Sequence, residues 1–415
     1  MKVLWLSHFV PYPPQGGALQ RSHHLVRRAA QVHDVEVFAL NQRAVLPTPA
    51  KVAEAVQALN RLGVSTTVFP IPADQSRLRW AAMAARGAFR STPFDVNWLR
   101  SNPFRNEVAA ACRRPFDVIH VDTIGLIPYV PPAAFRKTIL NHHNVESHML
   151  SRRASQEGSW WRRRYISREA VKLARLEAEV CPAVALNLTV SSLDGERLQE
   201  LAPKSRIFVV QNGVDVEYFT PARQAPADGH SLVFAGSMGW YPNVHAMSFF
   251  LEEVWPRLLA KDPQYRLTIV GHNPPQSLRV IAEKLPNVTV TGTVADVRPY
   301  LEESAVYVCP ILDGGGTRLK VLDALSMKRA LVATKLAVEG LELVPGRHFL
   351  AAETPAEFVD SILSLREDPS KREALGDAGR EFVEAKYSWS LIAGHLSDAY
   401  RLVQAQVHGE VIHSA

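Results

Sequence analysis

The fold of this 415-residue chain is decided by the stretch Cys309–Asp323, which reads CPILDGGGTRLKVLD. The preceding run, Ala305–Cys309, is short, apolar and β-branched, and Pro310 ends it, which is typical of a strand. Three glycines follow, and leucines then recur at helical spacing at positions 319, 322 and 325. The stretch therefore predicts a strand, a glycine-rich turn and a helix.

The same turn predicts an anion site. The backbone N–H groups of Gly314, Gly315 and Gly316 precede a helix N-terminus, where the macrodipole adds partial positive charge. Arg318 and Lys320 add two full positive charges in the first turn. Because cations there oppose the dipole, we expect an anion to offset them, and a diphosphate is the natural candidate. A tight connection with solvated charges is the alternative that the stretch alone leaves open.

Length and composition bound the kind of protein. A chain of 415 residues suits two domains, and its 47% apolar and 21% charged residues are those of a globular protein. The net charge of +6 favours acidic partners or an anionic membrane surface. Three widely spaced cysteines suit a reducing compartment, and they form no metal or disulfide pattern.

The sequence also indicates where in the cell the protein is located. The apolar run Met1–Val10 leads straight into prolines, so it predicts a first strand and not a signal peptide. No stretch reaches ~18 uninterrupted apolar residues, the length that spans a bilayer. We therefore expect a cytoplasmic protein, with peripheral binding to the inner face of the membrane as a further option.

Continuous apolar runs alternate with helical patterns such as Val244–Ala260 along almost the whole chain, which predicts parallel sheets covered on both faces. Two such series predict two doubly wound α/β domains, with the break in the turn-rich stretch Pro203–Pro226. We place the domains at 1–204 and 205–386, with a final helical segment at 387–415. The predicted strands are Val3–Ser7, Val35–Leu40, Thr66–Ile71, Val118–Val121, Thr138–Asn141 and Leu186–Ser191, then Ile207–Gln211, Leu232–Gly236, Leu267–Gly271, Val288–Thr291, Val306–Cys309 and Leu331–Thr334.

Ligands of such sheets bind at the carboxyl ends of the strands, so the loops there are the candidate sites. After the first strand, Gly16 and Gly17 precede a helix and would let backbone approach an anion, although an ordinary turn is as good an interpretation. After the fifth, His142 and His143 could hydrogen-bond a substrate or transfer a proton. The alternative for this second loop is a helix cap with merely polar histidines.

A basic aromatic segment lies between residues 151 and 175, with eight Lys or Arg residues against two acidic ones. It could lie on an anionic membrane surface, with tryptophans at the headgroup level and arginines on phosphates. It could equally be a solvated helix with its tryptophans in the core. Nucleic acid is disfavoured because the rest of the chain lacks a basic stripe. The residues concerned are Trp160, Trp161, Arg162, Arg163 and Arg164.

The ordered motifs resemble the retaining sugar-nucleotide glycosyltransferases of glycosyltransferase family 4, which have the GT-B fold of two Rossmann-like domains facing a central cleft. The motifs that carry the likeness are Asn212–Asp215 leading to Phe219, Phe234–Gly236, Ile269–Gly271, Gly292–Val294 and the glycine-rich turn with Asp323 and Ala324. The resemblance implies an acceptor-binding N-terminal domain and a donor-binding C-terminal domain. It also implies a last helix that crosses back to the first domain, and no metal.

The resemblance also implies roles for single residues. His143, with His142 in reserve, would contact the donor sugar near the reacting centre, and Asp323 would hold the ribose. Arg318 and Lys320 would act with His143 in catalysis by holding the diphosphate. The donor site would comprise Gly16, Gly17, Thr293, Val294, Asp313, Gly314, Gly315, Gly316, Thr317, Asp323 and Glu339.

Two departures from the family pattern matter. Gly315 stands where the family has a glutamate that contacts the donor sugar, so Asp313 or backbone N–H groups would take its place. Ser237 and Asn243 stand where the family has a basic pair. Arg318 and Lys320 are the candidates to replace those two charges, in line with their placement in the glycine-rich turn.

The expected activity is transfer of a sugar, with retention, from a nucleoside diphosphate sugar to an acceptor hydroxyl in envelope, exopolysaccharide or lipid-linked glycan synthesis. The expected partners are the donor, a glycan or lipid-linked acceptor and an anionic membrane surface, with no nucleic acid and no further cofactor. Two alternatives stay open: a sugar-nucleotide epimerase of the same fold, and a catalytically silent nucleotide-sugar-binding protein.

Overall fold

The computed structural model describes residues 1–14, 16–88, 90–222 and 228–408. The chain divides into two compact units. The first unit comprises Met1–Gln211 and the residues from Ile392 onward, and the second is Asn212–Leu391. Each unit is built on one parallel sheet. The prediction of two α/β domains is therefore confirmed, and the boundaries lie a few residues beyond the predicted ones.

The first unit contains a seven-stranded parallel sheet in the order β3-β2-β1-β4-β5-β6-β7. Chain order reverses between β1 and β4, so this sheet has its topological switch point there. The strands are β1 (Lys2–Ser7), β2 (Asp34–Asn41), β3 (Ser65–Pro70), β4 (Val118–Val121), β5 (Thr138–Asn141), β6 (Leu186–Thr189) and β7 (Ile207–Val209).

Eight helices connect these strands among the described residues of the first unit, and the last helix of the chain ends in it. They are α1 (Gly17–Ala29), α2 (Pro49–Arg61), α3 (Arg77–Ala88), α4 (Phe94–Trp98), α5 (Asn102–Ala111), α6 (Glu146–Gln156), α7 (Trp160–Val180) and α8 (Ser192–Leu201), with 3₁₀ turns at Pro72–Gln75, Ile124–Tyr129 and Pro132–Lys137.

The second unit contains a six-stranded parallel sheet in the order β10-β9-β8-β11-β12-β13. Here the switch point lies between β8 and β11. The strands are β8 (Ser231–Ala235), β9 (Arg266–Val270), β10 (Val288–Gly292), β11 (Val306–Cys309), β12 (Ala330–Ala333) and β13 (Leu350–Ala351).

The helices of the second unit follow its strands in α/β alternation. They are α9 (Tyr241–Phe249), α10 (Trp255–Lys261), α11 (Gln276–Glu283), α12 (Arg298–Glu302), α13 (Leu319–Ser326), α14 (Pro355–Glu367) and α15 (Pro369–Lys386), with a 3₁₀ turn at Leu336–Val338, and α16 (Trp389–His408) begins in this unit.

Both sheets are held by their apolar strands, which are buried on both faces. All four residues of β4, β5 and β11 are buried, as continuous apolar runs in a covered parallel sheet require. Leu6, Ile119 and Leu140 belong to one core cluster of the first unit. Each such side chain contributes about 1.5–3 kcal/mol by leaving water.

Two sequence predictions of secondary structure are wrong. The predicted domain boundary at residue 205 puts the strand that begins at Ile207 in the second sheet, but β7 pairs with β6 and closes the first sheet. The predicted single helix Val244–Ala260 is interrupted by a π-helical turn at Phe250–Val254. Pro256 has no backbone N–H to donate four residues back, and the wider turn accommodates that missing hydrogen bond.

Candidate functional site

Each unit carries a polar cluster at the carboxyl end of its strands, at its own switch point. In the first unit the cluster is formed by His8 after β1, Asp122 after β4 and His143 after β5. Asp122 is fully buried, whereas the two histidine side chains keep 19% and 11% of their surface exposed. A buried carboxylate in contact with partly open imidazoles is the kind of arrangement that orients a reactive ring.

Asp122 is held by hydrogen bonds from three side chains. Its Oδ2 accepts from Ser22 Oγ at 2.7 Å and from Ser7 Oγ at 3.3 Å, and its Oδ1 accepts from Asn141 Nδ2 at 3.1 Å. His143 Nε2 lies 3.2 Å from Oδ1 of Asp122. These contacts fix the carboxylate so that its charge faces the ring of His143.

The charges of the cluster follow from burial and from this carboxylate. Burial would raise the pKa of Asp122, but the neighbouring His143, His8 and His120 lower it to about 2. Burial lowers the pKa of His8 to about 4, against the attraction of Asp122. At neutral pH the cluster therefore holds an ionised Asp122 and a neutral His8.

The two neighbouring histidines of the loop point to different surroundings. His142 is buried, and its Nε2 lies 3.1 Å from Oδ1 of Asn187. Burial lowers the pKa of His142 to about 4. His142 is thus a neutral core residue, and the structure places His143, the first choice from the sequence, at the strand-end cluster.

The same three residues are spaced for a metal ion. The ligand atoms of His8, Asp122 and His143 all lie within 4.8 Å of one another. Both oxygens of Asp122 already accept hydrogen bonds from Ser7, Ser22 and Asn141, which satisfies the carboxylate without an ion. The prediction that the protein works without a metal stays a prediction.

The glycine pair after β1 begins helix α1 as the sequence predicts. Gly17 is the first helical residue, and Gly16 precedes it at φ 93°, a backbone conformation that favours glycine. Within the part of the chain that the structure describes, no side chain caps this helix end, and no atom beyond the two chain neighbours of Gly16 lies within 4 Å of where its Cβ would stand. Gln15 lies outside the described residues.

In the second unit the loop after β11 folds back on itself around Arg318. The guanidinium of Arg318 donates to the carbonyl oxygens of Gly315, at 2.9 Å, and Gly316. Asp313 is buried, and its carboxylate accepts from the N–H of Gly314 at 2.6 Å. The N–H of Gly314 is therefore already satisfied, and the role of Asp313 towards a donor sugar stays a prediction.

Helix α13 starts one residue later than the charge pattern suggests. Arg318 is the N-cap, with extended backbone, and Leu319 is the first helical residue. Lys320 thus lies in the first turn, as predicted, while Arg318 stands at its edge. Thr317 is tied to the start of the unit, because its Oγ1 accepts from Nδ2 of Asn212 at 2.6 Å.

The ammonium of Lys320 reaches from α13 to β8 and the first turn of α9. It donates to Oδ1 of Asn243 and lies 4.7 Å from the centroid of the Phe234 ring. Nδ2 of Asn243 in turn donates to the carbonyl oxygen of Ser237 at 2.7 Å. Lys320 thus brings a cation from another element to Ser237 and Asn243, the two positions at which the resemblance implies a missing basic pair.

Lys320 and Asp323 share a desolvated environment on α13. Burial and the nearby Arg318 lower the pKa of Lys320 to about 8, against Cys309 and Asp323, which raise it. Burial raises the pKa of Asp323 to about 8, against the attraction of Lys320. An arriving anion would favour the charged form of Lys320.

The remaining predicted donor residues lie after other strands of the same sheet. Thr293 and Val294 follow β10 at the carboxyl edge, where Thr293 is exposed. Glu339 follows β12 and the 3₁₀ turn Leu336–Val338, and it is half-buried. Their roles towards a nucleotide stay predictions.

The basic aromatic segment begins helix α7, with its tryptophans in solvent. Trp160 is 76% exposed and Trp161 57% exposed, so the alternative that placed them in the core is wrong. Arg162 lies over the ring of Trp161, 5.0 Å from its centroid. Among the described residues, no helix is both long enough and apolar enough to cross a bilayer.

Sequence reasoning missed His8 and Asp122. Like His143, each of these two residues is the first or second polar residue after an apolar strand, and that position is the signal by which the sequence indicates His143. The strand order decides which of these loops meet, because β4 lies between β1 and β5 in the sheet. That order was not available from the sequence.

Two family descriptions match the chain. "Glycosyltransferase Family 4" matches residues 51–218, and "Glycosyl transferases group 1" matches residues 229–368. Among curated relatives, a phosphatidyl-myo-inositol mannosyltransferase of Mycobacterium tuberculosis is 27% identical over 228 residues, 52% of this chain and 59% of its own length. The chain therefore spans less than two thirds of that relative.

A second relative is a GDP-mannose:cellobiosyl-diphosphopolyprenol alpha-mannosyltransferase of Xanthomonas campestris. It is 24% identical over 263 residues, 59% of this chain and 66% of the relative. Similar solved structures include sucrose-phosphate synthase from Thermosynechococcus elongatus (TM-score 0.71, 17% identity, 98% of this chain and 100% of that one). HepE from Anabaena, solved with UDP and glucose, gives a TM-score of 0.67 at 14% identity, over 97% and 99% of the two chains.

The structural likenesses, all at low identity, concern the fold, and they agree with the two α/β units and their switch points. The family descriptions add evidence from the sequence. They match consecutive parts of the chain and together cover most of both units. We conclude that the chain belongs to family 4 of the glycosyltransferases, with the GT-B fold.

Proposed function

We propose that this protein transfers a sugar, with retention of anomeric configuration, from a nucleoside diphosphate sugar to an acceptor hydroxyl. The observation that carries the proposal is the position of Lys320. Its ammonium sits at the switch point of the second unit, beside Asn243, where the family's own cations are missing. A cation held in a desolvated place at a strand-end loop is suited to a diphosphate.

The proposed chemistry uses this charge in the transition state. The bond between the anomeric carbon and the diphosphate oxygen breaks, and negative charge develops on the leaving diphosphate. Lys320 and Arg318 stabilise that charge. Such electrostatic stabilisation of the transition state accounts for the larger part of many enzymatic rate enhancements. The acceptor hydroxyl attacks from the same face, and its proton passes to the departing diphosphate.

The other residues of the proposal bind rather than react. We assign Asp323 to the ribose hydroxyls and the loop at Thr293 and Val294 to the base. In the first unit, His143 with Asp122 behind it is assigned to the sugar end of the reaction. Protein-bound metal has no part in this scheme.

For the acceptor we propose a lipid-linked or envelope glycan. One support is the exposure of Trp160 and Trp161 at the basic start of α7. The other is that the names of two relatives specify lipid-linked acceptors, phosphatidyl-myo-inositol and cellobiosyl-diphosphopolyprenol. Such an acceptor places the protein on the cytoplasmic face of a membrane.

A donor screen tests the reaction class. Each nucleoside diphosphate sugar is incubated with the protein, and release of nucleoside diphosphate is measured beside thermal unfolding. A bound donor at ~100 times its dissociation constant should add about 2.7 kcal/mol of stability. Stabilisation with release supports a transferase. Interconversion of the sugar without release points to an epimerase, and stabilisation with neither points to a silent binder.

The charge assignment is tested with Lys320→Met and Arg318→Ala. We expect each substitution to slow turnover about a hundredfold, since losing one such contact costs about 2–4 kcal/mol of transition-state stabilisation. Lys320→Met keeps the length of the side chain, so it removes charge with little change in packing. Lys261→Met, at an exposed position on α10, is the matched control. Near-normal turnover in both site variants would refute the assignment.

A further inference from the structure

A buried arginine lies behind the His143 cluster of the first unit. Arg21 is on helix α1, about one turn from its start, and is 1% exposed. Its Nη2 donates to Oδ1 of Asn141 at 3.0 Å, and its Nη1 donates to the carbonyl oxygen of Gln211 at 2.8 Å. Removing a guanidinium from water is costly unless hydrogen bonds and an opposite charge compensate it. The groups that Arg21 joins therefore indicate what it does.

Buried polar side chains connect Arg21 to His143. Nδ2 of Asn141 donates to Oδ1 of Asp122 at 3.1 Å, and Nε2 of His143 lies 3.2 Å from that same oxygen. Asn141 and Asp122 are fully buried. The amide of Asn141 accepts from the cation and donates to the anion, so the two charges permit only one orientation of that amide. Arg21 thus acts on Asp122 through Asn141.

Helix α1 holds the carboxylate of Asp122 from two sides. Burial lowers the pKa of Arg21 to about 10, against the attraction of Asp122, so Arg21 stays charged at neutral pH. Ser22, the next residue of α1, donates to Oδ2 of Asp122 at 2.7 Å, while Arg21 acts through Asn141 on Oδ1. Contacts to both oxygens from one rigid helix fix the plane of the carboxylate, and with it the direction in which its charge faces His143.

The second partner of Arg21 is the residue at which the chain leaves the first unit. Gln211 ends the first stretch of that unit, and the chain returns to the unit at Ile392. His395, on the returning helix α16, has its Nδ1 3.3 Å from Oε1 of Gln211. Arg21 therefore holds the main chain of Gln211, and α16 contacts its side chain. The peptide that leaves the unit is anchored on its near side.

The second unit anchors the same peptide on the far side. Asn212 is the first residue of that unit, and its Nδ2 donates to Oγ1 of Thr317 in the glycine-rich turn at 2.6 Å. Gln211 and Asn212 share one planar peptide bond, so a displacement of the turn at Thr317 is passed to the carbonyl group that accepts from Arg21. Covalent and hydrogen bonds thus form an uninterrupted series from Thr317 to His143.

We propose that Arg21 is a positioning residue for sugar transfer. Through Asn141 and Asp122 it fixes the His143 ring, and through Gln211 it makes the orientation of that ring depend on the glycine-rich turn that holds the donor. The inference rests on the proposed function, which assigns His143 to the sugar end of the reaction. It adds a link between the donor turn and His143 that neither site contains alone.

The first test observes the His143 ring without any ligand. NMR spectra of protein labelled with ¹⁵N in histidine show the ring nitrogens, and His143→Asn identifies the His143 signal by its loss. Arg21→Lys keeps the charge, but an ammonium cannot donate to Asn141 and Gln211 in the geometry of a guanidinium, so the His143 signal should move. It should also move in Asp122→Asn.

Arg329→Lys is the matched control for the buried arginine. Arg329 is also 1% exposed, and its guanidinium donates to the carbonyl oxygens of Met327 at 2.8 Å and Ser304 at 2.9 Å. Its replacement should reduce stability in urea about as much as Arg21→Lys does, since each variant loses hydrogen bonds from a buried guanidinium. The His143 signal should stay in place in Arg329→Lys.

Thr317→Val tests the link to the donor turn. The substitution keeps the shape of the side chain and removes the oxygen that accepts from Asn212. The His143 signal should move in this variant, although Thr317 belongs to the second unit. Thr220→Val, at an exposed position of the same unit, is the control and should leave the signal unchanged.

Turnover separates positioning from structure. With the nucleoside diphosphate sugar that the donor screen finds to be turned over fastest, Arg21→Lys should lower kcat about tenfold and leave the KM for the donor within about threefold. Combined with Asp122→Asn it should lower kcat by no more than about threefold further, because both changes act on one ring. Combined with Lys320→Met it should show its full loss of about tenfold, and Arg329→Lys alone should keep kcat within about threefold.

Four results would overturn the inference. They are an unmoved His143 signal in Arg21→Lys, an unmoved signal in Thr317→Val, equal losses of kcat in Arg21→Lys and Arg329→Lys, and full additivity of Arg21→Lys with Asp122→Asn. Absence of any donor turnover in the natural protein would instead count against the proposed function. The NMR comparison, which needs no donor, would then still decide whether Arg21 orients His143.

Discussion

Asp122 shows how a single residue can organise a site that contains no obvious motif. It sits behind His143, at 3.2 Å, and receives three side-chain hydrogen bonds that hold it in place. We interpret Asp122 as a positioning residue that keeps the His143 ring in one orientation. The interpretation depends on its charge, because a pKa of about 2 keeps it ionised at any working pH.

Asp122→Asn tests that role. The substitution removes the charge and leaves the shape, so turnover at saturating donor should fall tenfold or more, the kinetic equivalent of about 1.5–3 kcal/mol. The KM for the donor should change little. Ser22→Ala removes one hydrogen bond to the same carboxylate without removing its charge, and it should have a smaller effect on kcat. Equal losses in the two variants would mean that packing, and not charge, is what matters.

For each of the two strand-end clusters, the sequence predicted one residue of the central pair and not its partner. His143 and Lys320 were found because they directly follow a strand or begin a helix. Asp122 could not be linked to His143, and Asn243 could not be linked to Lys320, because those contacts join residues 21 and 77 positions apart. Spacing along the chain carries no information on such pairs without the strand order.

Among the elements, the loops after β8 and β9 are packed more tightly than any sequence pattern suggests. A Cβ on Gly271 would lie 1.7 Å from the carbonyl oxygen of Gly236. The two loops can therefore touch only through glycine, and this contact stands next to the Lys320 and Asn243 pair, since a Cβ on Gly236 would lie 2.8 Å from Nζ of Lys320.

Gly271→Ala should separate these loops. We expect a loss of about 1–3 kcal/mol or more in the free energy of unfolding of the second unit, and loss of the stabilisation by donor. Gly239→Ala in the same loop region is the control, because its added Cβ would make only an ordinary contact at 3.7 Å with Asn273. Urea unfolding with and without donor measures both effects, and similar behaviour of the two variants would contradict the tight contact.

Strands were the elements that the sequence predicted best. β4, β5 and β11 were predicted with the bounds that the structure has, because each is a continuous buried run with a clear stop. β13 was missed, since two residues carry no periodicity. The assignment of β7 to the second sheet is wrong for a related reason. Hydrophobicity indicates a strand but does not indicate the strand with which it pairs.

For the whole molecule, two raised carboxyl pKa values predict how stability depends on pH. Burial raises the pKa of Glu146, in the first unit, and of Asp323, in the second, to about 8 each. Between pH 7 and 7.8 the folded chain keeps most of both protons, whereas the unfolded chain has lost them. Stability is therefore present at the lower pH and lost as the pH rises towards 8.

The slope expected from one such carboxyl group is at most about 1.4 kcal/mol per pH unit. In the second unit it diminishes as the pH nears 8, because Lys320, whose pKa is lowered to about 8, then contributes with the opposite sign. Urea unfolding at pH 7.0, 7.4 and 7.8 measures it, in a range that lies above the ordinary pKa of the imidazoles. Glu146→Gln should flatten the profile of the first unit, and Asp323→Asn that of the second. A profile that is already flat in the natural protein would show that both carboxyl groups are ionised in the folded state.

The first unit is interrupted in sequence by the whole of the second. Tyr400, near the end of the chain, places its hydroxyl 3.1 Å from Nδ1 of His120 on β4, inside the first unit. During synthesis, residues 212–391 are made and leave the ribosome as one uninterrupted stretch ahead of Tyr400. The second unit can thus complete its fold before the first unit, which still lacks its C-terminal segment. This order reverses the usual N-to-C sequence of domain folding.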